Sequence, residues 1–315
     1  MPTASAQSDT TAAVSENWAG YAAGGTNFSS VSGSWIEPKA TCSSGQTYSA
    51  FWVGLGGSTE QSGALEQAGT QADCSASGQA TYYAWYELVP AAPVKLALAV
   101  NPGDHMSAKV SVAGTSVTVT VSDATTGQSV TKTLTTQNID TSSAEWIAEA
   151  PSSCDTTGNC QPLPLANFGS VTFTNASATA NGHTGTISDP DWTAQPLQLS
   201  PSAAQLGLGG GLIGYADQTG GAQSSTAGAV PSSLSSDGSS FSVSYQASAA
   251  SSSATATAGG GGSGYGGYGG YGGYGGYGGY GGYGGYGGYG GYGGYGGYGG
   301  YGGYGGYIQS LLYGS

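Results

Sequence analysis

A carboxylate beside a tryptophan is the first place in this chain where acid–base chemistry could reside. Ser142-Ser143-Ala144-Glu145-Trp146-Ile147-Ala148-Glu149-Ala150-Pro151 reads as a short strand that sets Glu145 among bulky apolar neighbours. Only 21 of 315 residues are Lys, Arg, Asp or Glu, 4 basic and 17 acidic, so each carboxylate in an apolar run raises the question of its purpose. Apolar surroundings disfavour the charged form, raise the pKa and suit the group to proton transfer. From the local sequence alone, the plainer reading of Glu145 is a surface residue on a strand edge. A second stretch, Ser62-Gly63-Ala64-Leu65-Glu66-Gln67-Ala68-Gly69-Thr70, reverses that balance below. His105 and His183 stand at no ligand spacing and read as solvated loop residues, and no CxxC occurs, so neither a metal nor a cofactor is expected.

The elements that must position these residues follow from composition. The net charge is −13, with four lysines and no arginine, which argues against nucleic acid and against an anionic membrane surface. No run of 18 apolar residues exists, so no membrane span is expected. Low charge with abundant Ser, Thr, Gly and Ala fits a secreted protein, one suited to acid, where carboxylates lacking basic partners cease to repel one another. The N-terminus lacks the charged and apolar regions of an export signal, and the expectation is that Met1 replaces a removed one. Four cysteines fit two disulfides and an oxidising compartment. Cys154 and Cys160 bracket the turn-rich Asp-Thr-Thr-Gly-Asn and are expected to pair, which leaves Cys42 with Cys74.

Residues 1–13 read as a disordered segment, and residues 14–246 have the texture of an all-β domain: short runs of Val, Thr, Tyr and Trp broken by Gly, Ser, Asn and Pro. Strands are predicted over 94–100, 116–122, 129–134, 170–175 and 241–245, with strict alternation of valines in Ser116–Ser122. No helix of ten residues is expected. A single large antiparallel sandwich is the natural packing, because each sheet needs its apolar face covered. Residues 247–258 are Ala, Ser and Thr only and read as a linker. In 259–315, fifteen tyrosines from Tyr265 to Tyr307 fall at strict period three, separated by Gly-Gly. Alone in water such a tract is expected to be disordered, yet its repeated aromatic units fit self-association or attachment to a surface polymer. The closing Ile308-Gln309-Ser310-Leu311-Leu312-Tyr313 is apolar enough to dock.

Several stretches now fall into register. Leu65-Glu66-Gln67-Ala68-Gly69 and Ala144-Glu145-Trp146 are accompanied by Asn17-Trp18-Ala19-Gly20-Tyr21, Gly33-Ser34-Trp35-Ile36-Glu37-Pro38 and Ala50-Phe51-Trp52-Val53-Gly54-Leu55-Gly56-Gly57. Tyr82-Tyr83-Ala84-Trp85-Tyr86-Glu87-Leu88-Val89-Pro90 and the run from Asn167 to Ala176 complete the set. In this order and spacing, from about Glu16 to Tyr245, the chain resembles the glutamic peptidases, or eqolisins, as a bacterial-type member with an added Gly-Gly-Tyr tail. The resemblance implies a bent antiparallel β-sandwich of two long sheets, lectin-like, with a site on its concave face. It implies an acid endopeptidase acting on polypeptide substrates, with Gln67 and Glu145 catalytic and no metal. Trp18, Trp52 and Trp85 would line the groove, and Glu87 would orient Gln67 or shift Glu145. Glu66, beside Gln67, points to the opposite strand face, and Glu149 lies about 13 Å beyond Glu145 on the same face; both read as solvated. One departure stands out: the family commonly carries an aspartate where this chain has Gly56.

Three functions compete at this level. The leading one is a secreted acid endopeptidase whose tail anchors or displays it. The second is an extracellular, filament-forming structural subunit with the sandwich as head, since fold does not fix function. A carbohydrate-binding module has aromatics in its favour but no specific motif.

Overall fold

Alternation determines the strands. Val117, Val119 and Val121 are fully buried while the residues between them are not, as one buried sheet face requires. The computed structural model describes residues 11–59, 62–154, 160–200 and 227–247. The expectations for residues 1–10, 248–258 and 259–315 lie outside the described residues. The strands are β1 (Ala13–Ser15), β2 (Trp18–Gly24), β3 (Phe28–Ile36), β4 (Thr47–Gly56), β5 (Leu65–Cys74) and β6 (Ala80–Val89). They continue with β7 (Val94–Lys95), β8 (His105–Ala113), β9 (Ser116–Asp123), β10 (Gln128–Thr135), β11 (Ser143–Glu149) and β12 (Ser152–Cys154). The last six are β13 (Cys160–Pro162), β14 (Ser170–Ala180), β15 (His183–Gly185), β16 (Thr193–Leu199), β17 (Gly228–Pro231) and β18 (Phe241–Gln246). The described residues contain no helix.

Hydrogen bonding runs in the order β10-β9-β8-β3-β14-β18-β17-β16-β2-β11-β4-β5-β6-β7, antiparallel throughout, with β1 added in parallel to β16. The path folds back on itself at β14. Its first half, Ser170–Phe173, pairs with β18, and from Thr174 on it pairs with β3, across a register shift between Thr174 and Ser177. Such a bulge bends the strand and lets it serve two layers. The layer β10-β9-β8-β3 then stacks on β4, β5 and β11, giving the expected sandwich. Tyr21, Phe51, Val53, Leu55 and Trp146 face Val31, Trp35, Met106, Val110 and the β9 valines across the main core.

Two predicted features need revision. The run Val94–Val100 pairs only over Val94–Lys95. Beyond that Leu96, Leu98 and Val100 still alternate inward, but after the bond from the Leu96 N–H to the Ala84 carbonyl at 2.9 Å the run leaves the ladder: the periodicity reports packing, whereas a strand also needs a neighbour. His105 and His183 lie on β8 and β15 rather than in loops, although both are exposed as expected. Cys42–Cys74 is a disulfide that pins the connector after β3 to the end of β5. Cys154 stands opposite Cys160 on the β12–β13 ladder, and Cys160 is disulfide-bonded; the Cys154 side chain lies outside the described residues.

Candidate active site

Lateral register, not proximity in sequence, assembles the site. Glu145 on β11 is paired with Gly54 on β4, Gly54 with Gln67 on β5, and Gln67 with Glu87 on β6. Directly paired residues project from the same face, so Glu145, Gln67 and Glu87 share one row across the sheet. Gly54 lies between the first two, so their Cα atoms are about 10 Å apart across a position without a side chain. The slot needs that glycine. A β-carbon at Gly54 would stand 2.9 Å from the Trp52 ring, 3.0 Å from Leu65 Cδ1 and 3.3 Å from Gln67 Cβ.

The next row on this face is Ile147, Trp52, Gly69 and Trp85, and the one beyond is Trp18, Glu149, Ala50, Gln71 and Tyr83. Trp18, Trp52, Trp85, Ile147, Leu65, Val89 and Leu197 form a second apolar cluster, separate from the main core. Trp18 and Trp52 meet edge to face with centroids 5.0 Å apart. Gly69 is required by close approach: its β-carbon would stand 2.1 Å from the Phe51 carbonyl oxygen. The three tryptophans expected near the site therefore lie on the same sheet face as Gln67 and Glu145.

The polar groups of this face are buried, and many lack a partner. Glu145 and Gln67 are each 0% exposed. Among the described residues neither Glu145 oxygen accepts a hydrogen bond, and Gln67 Oε1, Glu87 Oε1, Trp18 Nε1 and Trp85 Nε1 are likewise unsatisfied. The Gln67 amide nitrogen donates to Glu87 Oε2 at 2.6 Å. Burial pushes the Glu87 pKa up to about 9, with the Glu149 charge adding to the rise and the Gln67 bond opposing it. Burial also raises Glu145 well above the ordinary carboxylate range; the Ser143 hydroxyl, a neighbour that falls short of hydrogen-bond geometry, works against that rise, and Asp140 and Glu66 add to it.

Glu66 and Glu149, read from sequence as solvated, are both fully buried. Glu66 does point away from Gln67, but the face it enters is the sandwich core, and burial, then the Asp140 charge, raises its pKa to about 8. Glu149 keeps to the face of Glu145, where Trp52 Nε1 donates to it at 2.7 Å and Asn17 Nδ2 at 3.1 Å. Its pKa is also raised to about 8 by burial. Both expectations failed for one reason: β5 and β11 are central strands buried on both faces, so alternation separates two interiors rather than inside from outside. The same fact removes the edge-strand reading of Glu145. Glu37 is a further buried acid, on the core side, held by Thr70 Oγ1 at 2.5 Å and raised by burial to about 7.

Gly56, the position where an aspartate was expected, has φ +82°, and Asp140 packs against it. A β-carbon at Gly56 would lie 2.5 Å from Asp140 Cβ and 2.9 Å from Asp140 Cγ. Sequence reasoning missed Asp140, because Ile139-Asp140-Thr141-Ser142 carries only the signal of a turn. Elsewhere, ligand atoms of His183, Asp189 and Asp191 lie within 4.8 Å of one another at the exposed surface. His183 Nε2 is 2.9 Å from Asp189.

Known proteins resemble this chain in sequence and in fold. The chain is 34% identical over 215 residues to aspergillopepsin-2 of Aspergillus niger, covering 60% of this chain and 72% of that one. It is 31% identical over 189 residues to scytalidopepsin B of Scytalidium lignicola, covering 58% and 70%. Scytalido-glutamic peptidase, solved with a peptide-based transition state analog, superposes with a TM-score of 0.56 at 28% identity, covering 73% of this chain and 98% of that one. SCP-B, an eqolisin solved with the tripeptide Ala-Ile-His, gives a TM-score of 0.53 at 27% identity, again covering 73% and 98%. The sequence model of the Peptidase A4 family matches residues 16–200. The chain belongs to that family, the glutamic peptidases, and is a peptide-bond hydrolase.

Proposed function

We propose that this chain is a secreted endopeptidase working on the acid side of neutrality, with Glu145 as general base and acid and Gln67 as oxyanion donor. The observation that carries this reading is the row Glu145–Gly54–Gln67–Glu87, with its bare central position and unsatisfied polar atoms. A polypeptide laid over the apolar face would offer main-chain donors and acceptors to those atoms. Its scissile carbonyl would sit over Gly54, where no side chain obstructs it. Ionised Glu145 takes a proton from the attacking water as the new C–O bond forms, then returns it to the leaving amine as the C–N bond breaks. The carbonyl oxygen, negative in between, accepts an N–H from Gln67.

Glu87 gives this arrangement its sense. With a pKa of about 9 it is a neutral acid at the working pH, able to donate as well as accept. A half-turn of the Gln67 amide places Oε1 against the Glu87 hydroxyl and turns both amide hydrogens to the substrate. An ionised Glu87 would hold the amide nitrogen instead. Glu66, Glu87 and Glu149, at about 8 to 9, must stay protonated for this interior to persist, and this confines the working range to their acid side. The Tyr265–Tyr307 tail serves anchoring or self-association rather than cleavage, on the strength of its period-three regularity.

The test is cleavage of an unfolded protein substrate from pH 2 to 7 by the parent, Glu145→Gln and Gln67→Ala, each also deleted for residues 259–315. Glu145→Gln should lose about 10³-fold or more in kcat and Gln67→Ala about 10²- to 10³-fold. The tail deletion should leave kcat unchanged and abolish sedimenting assemblies. Parental kcat in a folded Glu145→Gln would sink the catalytic assignment. No cleavage at any pH, with tail-dependent filaments, would establish the structural-subunit reading in its place.

A further inference from the structure

Of the four adjacent strands that carry the reactive row, one carboxylate ties together the ends of three. Asp140 lies in the connector between β10 and β11. Its Oδ2 accepts from the Ser62 hydroxyl in a short hydrogen bond and from the Gly57 N–H at 3.3 Å. Its Oδ1 accepts from the Ser142 N–H at 2.8 Å. Gly57 immediately follows β4, Ser62 lies three residues before β5, and Ser142 immediately precedes β11. These strands bring Gly54, Gln67 and Glu145 to the row. Gly56, which ends β4, admits Asp140 only because it has no side chain.

We propose that Asp140 is a positioning residue for the reaction: its carboxylate clamps β4, β5 and β11 in register and stands as a neighbour of Glu145. This rests on the assignment of Glu145 as the base. Burial alone would push the Asp140 carboxyl upward, but donors from Ser62, Ser142 and Gly57 outweigh it and hold the pKa below its ordinary value. A fixed negative charge close to Glu145 makes ionisation of Glu145 harder and its ionised form a stronger base. The other acid that acts on Glu145 is Glu66, on the opposite face of the sheet; Glu87 stands beyond Gln67 in the row and Glu149 further along β11. Each of these is held near or above neutrality by burial, so in acid Asp140 is the charged member of the group. The position occupied by Gly56 thus does not leave the site without a nearby carboxylate; one arrives from the β10–β11 connector.

The test compares full-length Asp140→Asn, Ser62→Ala and Glu145→Gln with the parent, with circular dichroism as the check on folding. One readout is the pH profile of kcat/KM. The other is the infrared band of the buried protonated carboxyl, assigned to Glu145 by its loss in Glu145→Gln. Replacing the Asp140 charge should move the Glu145 titration, and with it the acid limb of the profile, to lower pH by about one unit, with kcat about tenfold lower. Ser62→Ala keeps the charge but loosens the clamp, so it should lower kcat about threefold to tenfold and shift the titration less. An unmoved Glu145 band in a folded Asp140→Asn would overturn the proposal. If Asp140→Asn does not fold, parental kcat and parental titration in Ser62→Ala would overturn it. Full cleavage by Glu145→Gln would instead sink the catalytic assignment, while the infrared shift would still judge the pairing of Asp140 with Glu145.

Discussion

Replacing Glu66 by Gln should make the fold markedly less sensitive to pH. Glu66 is fully buried on the core side of β5, and neither carboxyl oxygen meets a hydrogen-bond partner among the described residues. Its pKa rises from 4.5 to about 8, through burial first and the Asp140 charge second. The native state therefore holds a proton that the unfolded chain releases above pH 4.5. Stability from this group is fully present below pH 4.5 and is lost as pH rises toward 8. One proton of difference changes stability by about 1.4 kcal/mol per pH unit, so between pH 4.5 and 7 the parent loses about 3 kcal/mol through Glu66 alone. That is a large share of the roughly 5–15 kcal/mol by which folded domains persist. Gln matches the neutral acid in shape and does not titrate. Urea unfolding followed by tryptophan fluorescence at pH 4, 5, 6 and 7 should give nearly equal stabilities at pH 4. The variant should then lead by a margin that widens by about 1.4 kcal/mol per unit above pH 5. Parallel curves for parent and variant across that range would refute the assignment of Glu66 as a buried neutral acid.

Two further outcomes follow from the frame that holds the site. Removing the Cys42–Cys74 bridge as a Ser pair frees a loop with a sequence separation of 32, and urea unfolding should record a loss of about 3–4 kcal/mol that reductant reproduces in the parent. Gly69→Ala puts a β-carbon 2.1 Å from the Phe51 carbonyl, which only a shift of β4 against β5 relieves. Calorimetry should show a loss of about 3 kcal/mol, or roughly 6–12 °C in Tm, and an unchanged Tm would show that the strands separate there without strain.

The strands were legible because alternation is a local property. Ser116–Ser122 and Phe241–Tyr245 needed only their own side chains to be recognised, and β9 and β18 contain them. The motifs that hold Gln67, Glu145 and the tryptophans at recognisable spacing were legible too, and the structure places these residues on one sheet face. What was not legible is the lateral register. Nothing within ten residues of Gln67 says that Gly54 separates it from Glu145, 78 residues on, because that depends on which strands pair and in what phase. Glu66 and Glu149 were misplaced by the same gap: parity gives the face of a strand, but only the neighbouring layers decide whether that face is wet. Asp140 was invisible for a further reason. An Asp that bonds the N–H two residues on looks the same whether or not it also closes a site.

The sparse charge and the buried acids express one constraint. Glu37, Glu66, Glu87, Glu145 and Glu149 are all buried, and among the described residues none is paired with a lysine. A buried carboxylate without a counter-ion is costly, whereas the neutral acid needs only ordinary hydrogen bonds. Such an interior is therefore stable where carboxyls stay protonated. On the proposed assignment, such an interior gives a proton carrier of raised pKa at Glu145, but a second acid in the oxyanion position would be of little use. Ionised, it would repel the negative charge that develops on the carbonyl oxygen; neutral, it would titrate within the same cluster and its single proton would be shared with its neighbours. An amide at Gln67 donates at every pH, and a neutral Glu87 behind it can keep that donor turned to the substrate. Under that assignment, one amide within a cluster of acids is a consequence of acid–base chemistry in an interior that excludes cations.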